Sequence, residues 1–174
     1  MTNIALTIVL IVALGVVQVS FLTTWPAPVN SLNIILSLVV FLAIIIDYKK
    51  SLWLAFGAGL FLELYSDYPF GLTLLALLLT TIAVHFLFTN FFTNRSLYSL
   101  IILGFIASIV YNFLVTGLLL GLTVSGYDSG TITFNFWSNY VWQPFFNLVV
   151  LAIIFLAYYF STGRLKYIFL FPAN

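Results

Sequence analysis

The chain has 174 residues, of which 64 % are hydrophobic and only 5 % charged, with a mean hydropathy of +1.23. Soluble domains carry about 25 % charged residues, so this chain lacks the polar surface to face water, and an all-α integral membrane protein is expected. A formal net charge of +1 gives no basic field for nucleic acid, and the lack of cysteine excludes disulfides and thiolate chemistry.

Six apolar segments are predicted as transmembrane helices of a single polytopic domain, at about 4–22, 32–46, 51–64, 72–90, 97–122 and 139–160. The first is too long for the apolar region of a signal peptide and has no basic residue before it, so an uncleaved first span is expected. Gly15 and Gln18 share nearly one of its faces, the face expected to meet other helices. Trp25, Pro26 and Pro28 then stop the helix at an interface.

The second segment measures about 22 Å at 1.5 Å per residue, short for a hydrocarbon core of ~30 Å. Its polar Asn33 and Ser37 share a face, and Asp47, Lys49 and Lys50 mark a water-exposed turn after it. The third segment, also short, carries a carboxylate at Glu63 and breaks at Pro69 and Gly71. A charge inside an apolar span costs roughly 2.5–3.5 kcal/mol, so Glu63 is expected to face protein. Helical spacing sets Gly59, Glu63 and Asp67 on one face and Ser66 beside Glu63, where its hydroxyl is expected to bond the carboxylate or cap the next helix. Gly59 suits close backbone approach, Pro69 removes a donor, and Gly71 suits the re-entry into a helix. The expected object is a helix, a tight polar elbow, and a helix returning.

The order Gly-x-x-x-acid-x-x-Ser-x-x-Pro-x-Gly-Leu over 59–72 resembles the central motif of the bacterial rod-shape-determining membrane protein family MreD. The family's acid is usually Asp; here it is Glu63, one methylene longer. Beyond this motif the similarity lies in length, span count and composition. The resemblance implies a scaffold of the cell-wall elongation machinery in the bacterial inner membrane. Its implied partners are an MreC-like protein and, through it, MreB and the peptidoglycan synthases, with membrane lipids around it and a homodimer as a further assembly to test. Gly59, Glu63, Ser66, Pro69 and Gly71 would then shape the elbow, near the MreC contact. It also implies a bundle like that of the substrate-binding subunits of energy-coupling-factor vitamin transporters.

The fourth segment carries the single histidine, His85, in one face with Thr81 and Thr89. At about 21 Å from Gly71 by helical rise, His85 lies too far from Glu63 for a Ser66–His85–Glu63 relay. The fifth has Gly104, Ser108, Asn112 and Thr116 at strict i+4 spacing, a small and polar stripe of the kind used in helix packing, with a pore or ligand lining as its rival reading. The segment 131–136 alternates polar and apolar residues and suits a short strand or an interfacial segment. Trp137, Tyr140 and Trp142 form an aromatic belt before the sixth helix, near whose start lie Gln143, Pro144 and Asn147.

Lys49, Lys50, Arg95, Arg164 and Lys166 all fall in the second and fourth connections or the tail, which predicts both termini in the cytoplasm. Glu63 with Asp67 admits a structural or partner contact, a cation site, or an acid/base pair. The first is preferred, so neither a catalytic residue nor a cofactor is assigned. A vitamin-binding transporter subunit is the main alternative, although Ala5 and Ala13 with Val9 between them do not form the Ala-x-x-x-Ala docking patch of that class. An intramembrane enzyme is the third, since no acid, base and nucleophile converge in sequence.

Overall fold

The computed structural model describes residues 11–22, 24–26, 28–66, 68–92, 96–126 and 138–162. All regular structure among them is helical. Helix α1 occupies 11–22 and widens into a π-helical turn at Val17–Leu22. Helix α2 (Ile34–Phe41) continues through a second π-helical stretch, Leu42–Ile46, and α3 (Tyr48–Glu63) follows after one residue. The elbow leads into α4 (Leu72–Phe91), then α5 (Leu97–Val124) and α6 (Gln143–Thr162), the last entered through a π-helical turn at Ser138–Trp142. The alternating segment 131–136 and Trp137 lie outside the described residues.

Leu72–Phe91, Leu97–Val124 and Tyr140–Phe160 are long and apolar enough to cross a membrane. Ile11–Ser20 and Ile34–Ile46 are apolar but shorter, and α3 has 16 residues. The expected all-helical membrane class therefore stands on three span-length helices, with six spans left as an expectation.

α2 is the hub. It contacts α3, α4, α5 and α6, while α3–α4, α4–α5 and α5–α6 pack as sequential neighbours. A helix surrounded in this way is apolar all round, and Ile35, Leu36, Val39, Val40, Phe41 and Ile44 are all buried. α1 joins through α3, where the Phe61 ring fills the place a side chain at Gly15 would take, and Ile11 lies over Gly57.

The exterior is apolar where that of a soluble protein is polar, and several polar side chains are buried. Val124, Trp53 and Phe113 are 89 %, 72 % and 70 % exposed, whereas Ser37, Ser108 and Asn147 are each 1 % exposed. An apolar exterior over a largely apolar core that also holds buried polar side chains is stable only where the surroundings are themselves apolar, which agrees with a membrane setting.

Local sequence sets the helix ends. The Asp47 carboxylate caps α3 by accepting from the Lys49 amide at 3.0 Å. Ser96 and Ser99 form a reciprocal capping box on α5. Gly71 starts α4 with φ of +94°, a left-handed conformation that side-chain-bearing residues rarely adopt.

Candidate functional site

The elbow is built by Glu63, the last residue of α3 and only 5 % exposed. Gly71, at the N-cap of α4, has no side chain to satisfy that helix's first amides. Glu63 supplies the missing acceptor from the preceding helix: its Oε2 accepts from the Leu74 amide at 2.9 Å. The partial positive charge of the α4 N-terminus thereby faces a carboxylate. The second carboxylate oxygen, Oε1, is buried and has no hydrogen-bond partner among the described residues. The buried Tyr111 of α5 lies within electrostatic reach of Glu63 and Tyr68, with the Asn33 side chain at its hydroxyl.

Gly59 sits where the two helices of the elbow touch. A Cβ there would lie 3.1 Å from the Leu74 Cα and closer still to its side chain. The same residue, Leu74, is therefore bonded by Glu63 and packed against Gly59, one turn earlier on α3.

Ser66 departs from expectation. Its side chain neither bonds the Glu63 carboxylate nor caps α4; its Oγ accepts from the Tyr68 amide at 3.1 Å and lies 3.4 Å from the Thr73 hydroxyl. α3 ends at Glu63, so the i+3 relation that would bring Ser66 beside the carboxylate no longer holds. The Pro69 carbonyl accepts from the Leu72 amide and closes the turn. Asp67 lies outside the described residues. Beside the elbow, an apolar groove of about 380 Å³ has Ile11, Gly57, Phe61, Leu64 and Phe70 in its walls.

The second part of the site is a set of amide side chains around the entry to α2. Leu32 and Asn33 are extended, and a helix that starts this way inside a bundle leaves backbone groups open. Gln18 of α1 closes two of them: its Nε2 donates to the Leu32 carbonyl and its Oε1 accepts from the Ile34 amide, both at 2.8 Å. Asn147 of α6 closes the third, its Oδ1 accepting from the Asn33 amide at 2.9 Å. Asn33 caps α2 through the Leu36 amide, and Ser37 donates to the carbonyls of Asn33 and Asn147.

The stripe on α5 faces this lattice. A Cβ on Gly104 would strike Leu151 of α6, and Ser108 accepts from Asn147 Nδ2 at 3.1 Å while donating to the Gly104 carbonyl. The Asn112 carbonyl accepts from the hydroxyls of Thr116 and Tyr140, which also meet each other at 2.7 Å. Tyr140, expected in an interfacial belt, thus ties the entry of α6 to α5, while Trp25 and Trp142 are exposed. The decisive amide is Asn147, which sequence reading placed only near the start of a span. Its partners lie 114 and 39 residues away, beyond any local pattern.

His85 lies apart from the elbow. Its ring stacks on Tyr48 with centroids 3.8 Å apart, and its buried Nδ1 has no partner among the described residues. No group of three potential metal-binding side chains occurs among the described residues. What the arrangement does chemically is to lock helices: a carboxylate holds α3 to α4, and two amides hold α2 to α1 and α6. No protein-family model matches the chain, and neither a curated protein nor a solved structure does.

Proposed function

We propose that this chain is a membrane-embedded scaffold of the bacterial cell-wall elongation machinery. In this reading it crosses the inner membrane six times with both termini in the cytoplasm. It binds an MreC-like protein near the elbow and is coupled through it to MreB and the peptidoglycan synthases. The observation that carries the reading is the use made of the motif 59–72. Gly59, Glu63 and Gly71 cooperate on one helix junction, with Glu63 Oε2 on the Leu74 amide and Gly59 against the same residue. A carboxylate engaged in this way braces two helices and leaves the exposed Leu64, Tyr65 and Phe70 as the elbow's outer face. By this reading the protein is not an enzyme.

Affinity purification from native membranes tests the proposal. An MreC-like protein and peptidoglycan-synthesis proteins are expected in the eluate, and their absence from a well-solubilised, folded preparation counts against it. One observation keeps a vitamin-transporter subunit as the second reading. Asn33, Tyr111 and Asn147 are buried and meet at Asn33, as the convergent polar groups of a site for a small polar molecule would. Against that reading, the side chains of Gln18 and Asn147 are already engaged by backbone and by Ser108. Recovery of paired ATPases with a transmembrane coupling subunit would decide for the transporter.

A further inference from the structure

At the end of the bundle opposite the elbow, α3 and α4 leave a second groove, of about 390 Å³, lined by Tyr48, Lys49, Leu52, Trp53, Phe56 and Leu78. Its walls are aliphatic and aromatic along two turns, and its one charged lining residue is Lys49, at the first turn of α3. Lys49 and Lys50 are exposed, and no ion pair engages either ammonium among the described residues. The adjacent Asp47 is turned to the helix end, where it accepts from the Lys49 amide. Tyr48 is fixed by its stacking on His85, so that wall of the groove is rigid. Trp53, one turn further along, is 72 % exposed at the groove's edge.

We infer that this groove is a binding site for an anionic glycerophospholipid. The occupant follows from the order of chemistry along the groove. Tyr48 and Lys49 stand at the end where the chain turns into water, Leu52 and Trp53 follow one turn along α3, and Phe56 and Leu78 lie deeper. A phospholipid presents the matching order: phosphate, glycerol ester, acyl chain. The phosphate meets Lys49 in the groove, with the adjacent exposed Lys50 adding a second positive charge beside it, and one acyl chain lies against Leu52, Phe56 and Leu78. A zwitterionic lipid offers the same chain, but its own ammonium offsets the attraction of the phosphate. The lysine pair therefore selects for headgroup charge, and the apolar walls provide affinity without selection. Neither element depends on the scaffold reading.

The test uses the full chain, delipidated in a non-ionic detergent and titrated with phosphatidylglycerol or phosphatidylcholine of identical acyl chains. Bound lipid is counted by native mass spectrometry. The first tightly held lipid is expected to favour phosphatidylglycerol by about tenfold, the scale of two partly screened lysine contacts. Lys49→Gln with Lys50→Gln should bring the two lipids to near equality. Trp53→Ala should weaken both and preserve their ratio. Equal binding by the unaltered chain overturns the inference, as does a preference that survives the double lysine variant. Because the chain has no cysteine, Trp53→Cys supplies a clean cross-linking probe. Rapid disulfide dimer formation in lipid would show a second copy over the groove and also overturn the proposal. A monomeric cysteine variant that retains the lipid preference supports it.

Discussion

The two ends of the bundle handle polarity in opposite ways. At the elbow end the polar side chains point inward, and Gln18, Asn33, Glu63 and Asn147 are all buried and bonded to backbone. At the Asp47 end the charged side chains point outward, with Lys49 and Lys50 exposed and a single residue joining α2 to α3, and the polar group turned inward is the small hydroxyl of Ser51, on the Val39 carbonyl. The difference follows from the backbone. Where α2 starts from an extended segment among other helices, its open groups require side-chain partners. Where α2 runs almost directly into α3, the Asp47 amide reaches the Leu42 carbonyl and the Asp47 carboxylate caps the next helix. The buried amides Gln18, Asn33 and Asn147 and the buried carboxylate of Glu63 thus serve the places where helices start.

The largest effect expected from breaking this contrast is at Asn147. Asn147→Leu leaves the buried Asn33 amide without an acceptor and Ser108 without a donor, and should lower stability by roughly 2–4 kcal/mol in detergent unfolding. A loss below about 0.5 kcal/mol would mean that water or a neighbouring group replaces the amide. Gly59→Val comes next. The added methyls meet the Leu74 backbone, and overpacking of this kind costs about 1–3 kcal/mol, read as a lower Tm. An unchanged Tm would show that α3 and α4 separate freely and that the elbow is no brace.

Glu63 sharpens the comparison most usefully for function. Glu63→Leu removes the cap on Leu74 and should cost about 1–2 kcal/mol, with faster amide exchange in the first turn of α4. Glu63→Gln keeps an acceptor oxygen and should stay within roughly 0.5 kcal/mol of the parent. If Gln proves as damaging as Leu, charge rather than capping matters at Glu63, and a bound cation or partner group enters the account. At the opposite end, Asp47→Ala should cost about 1 kcal/mol through the lost cap. Lys50→Gln should stay within about 0.5 kcal/mol, being exposed.

Local signals in the sequence carried far, and they failed where partners are remote. The fourth and fifth helices were legible because twenty or more mostly apolar residues run without an Asp, Glu, Lys or Arg, and the α5 stripe because i+4 spacing is a property of one helix. Gly71 was legible too, since a glycine two residues after a proline signals a turn, and its φ of +94° fits that role. The fate of Ser66 was not. Its predicted neighbour relation assumed a helix through 66, and α3 stops three residues sooner. Nor did the sequence reveal that Gln18 and Asn147 serve the same three-residue stretch, 32–34, from opposite ends of the chain. Hydrogen bonding of that kind depends on tertiary placement, and no periodicity encodes it.

The contact between Asn33 and Asn147 spans 114 positions of sequence, and it orders events during synthesis. The second helix emerges from the ribosome long before the sixth, so its first amide must wait, shielded by the translocation machinery or by stray water. Only when the final helix arrives is the breach sealed. Nascent chains arrested before residue 147 should therefore remain open to proteases at the second helix, long after that helix has entered the bilayer.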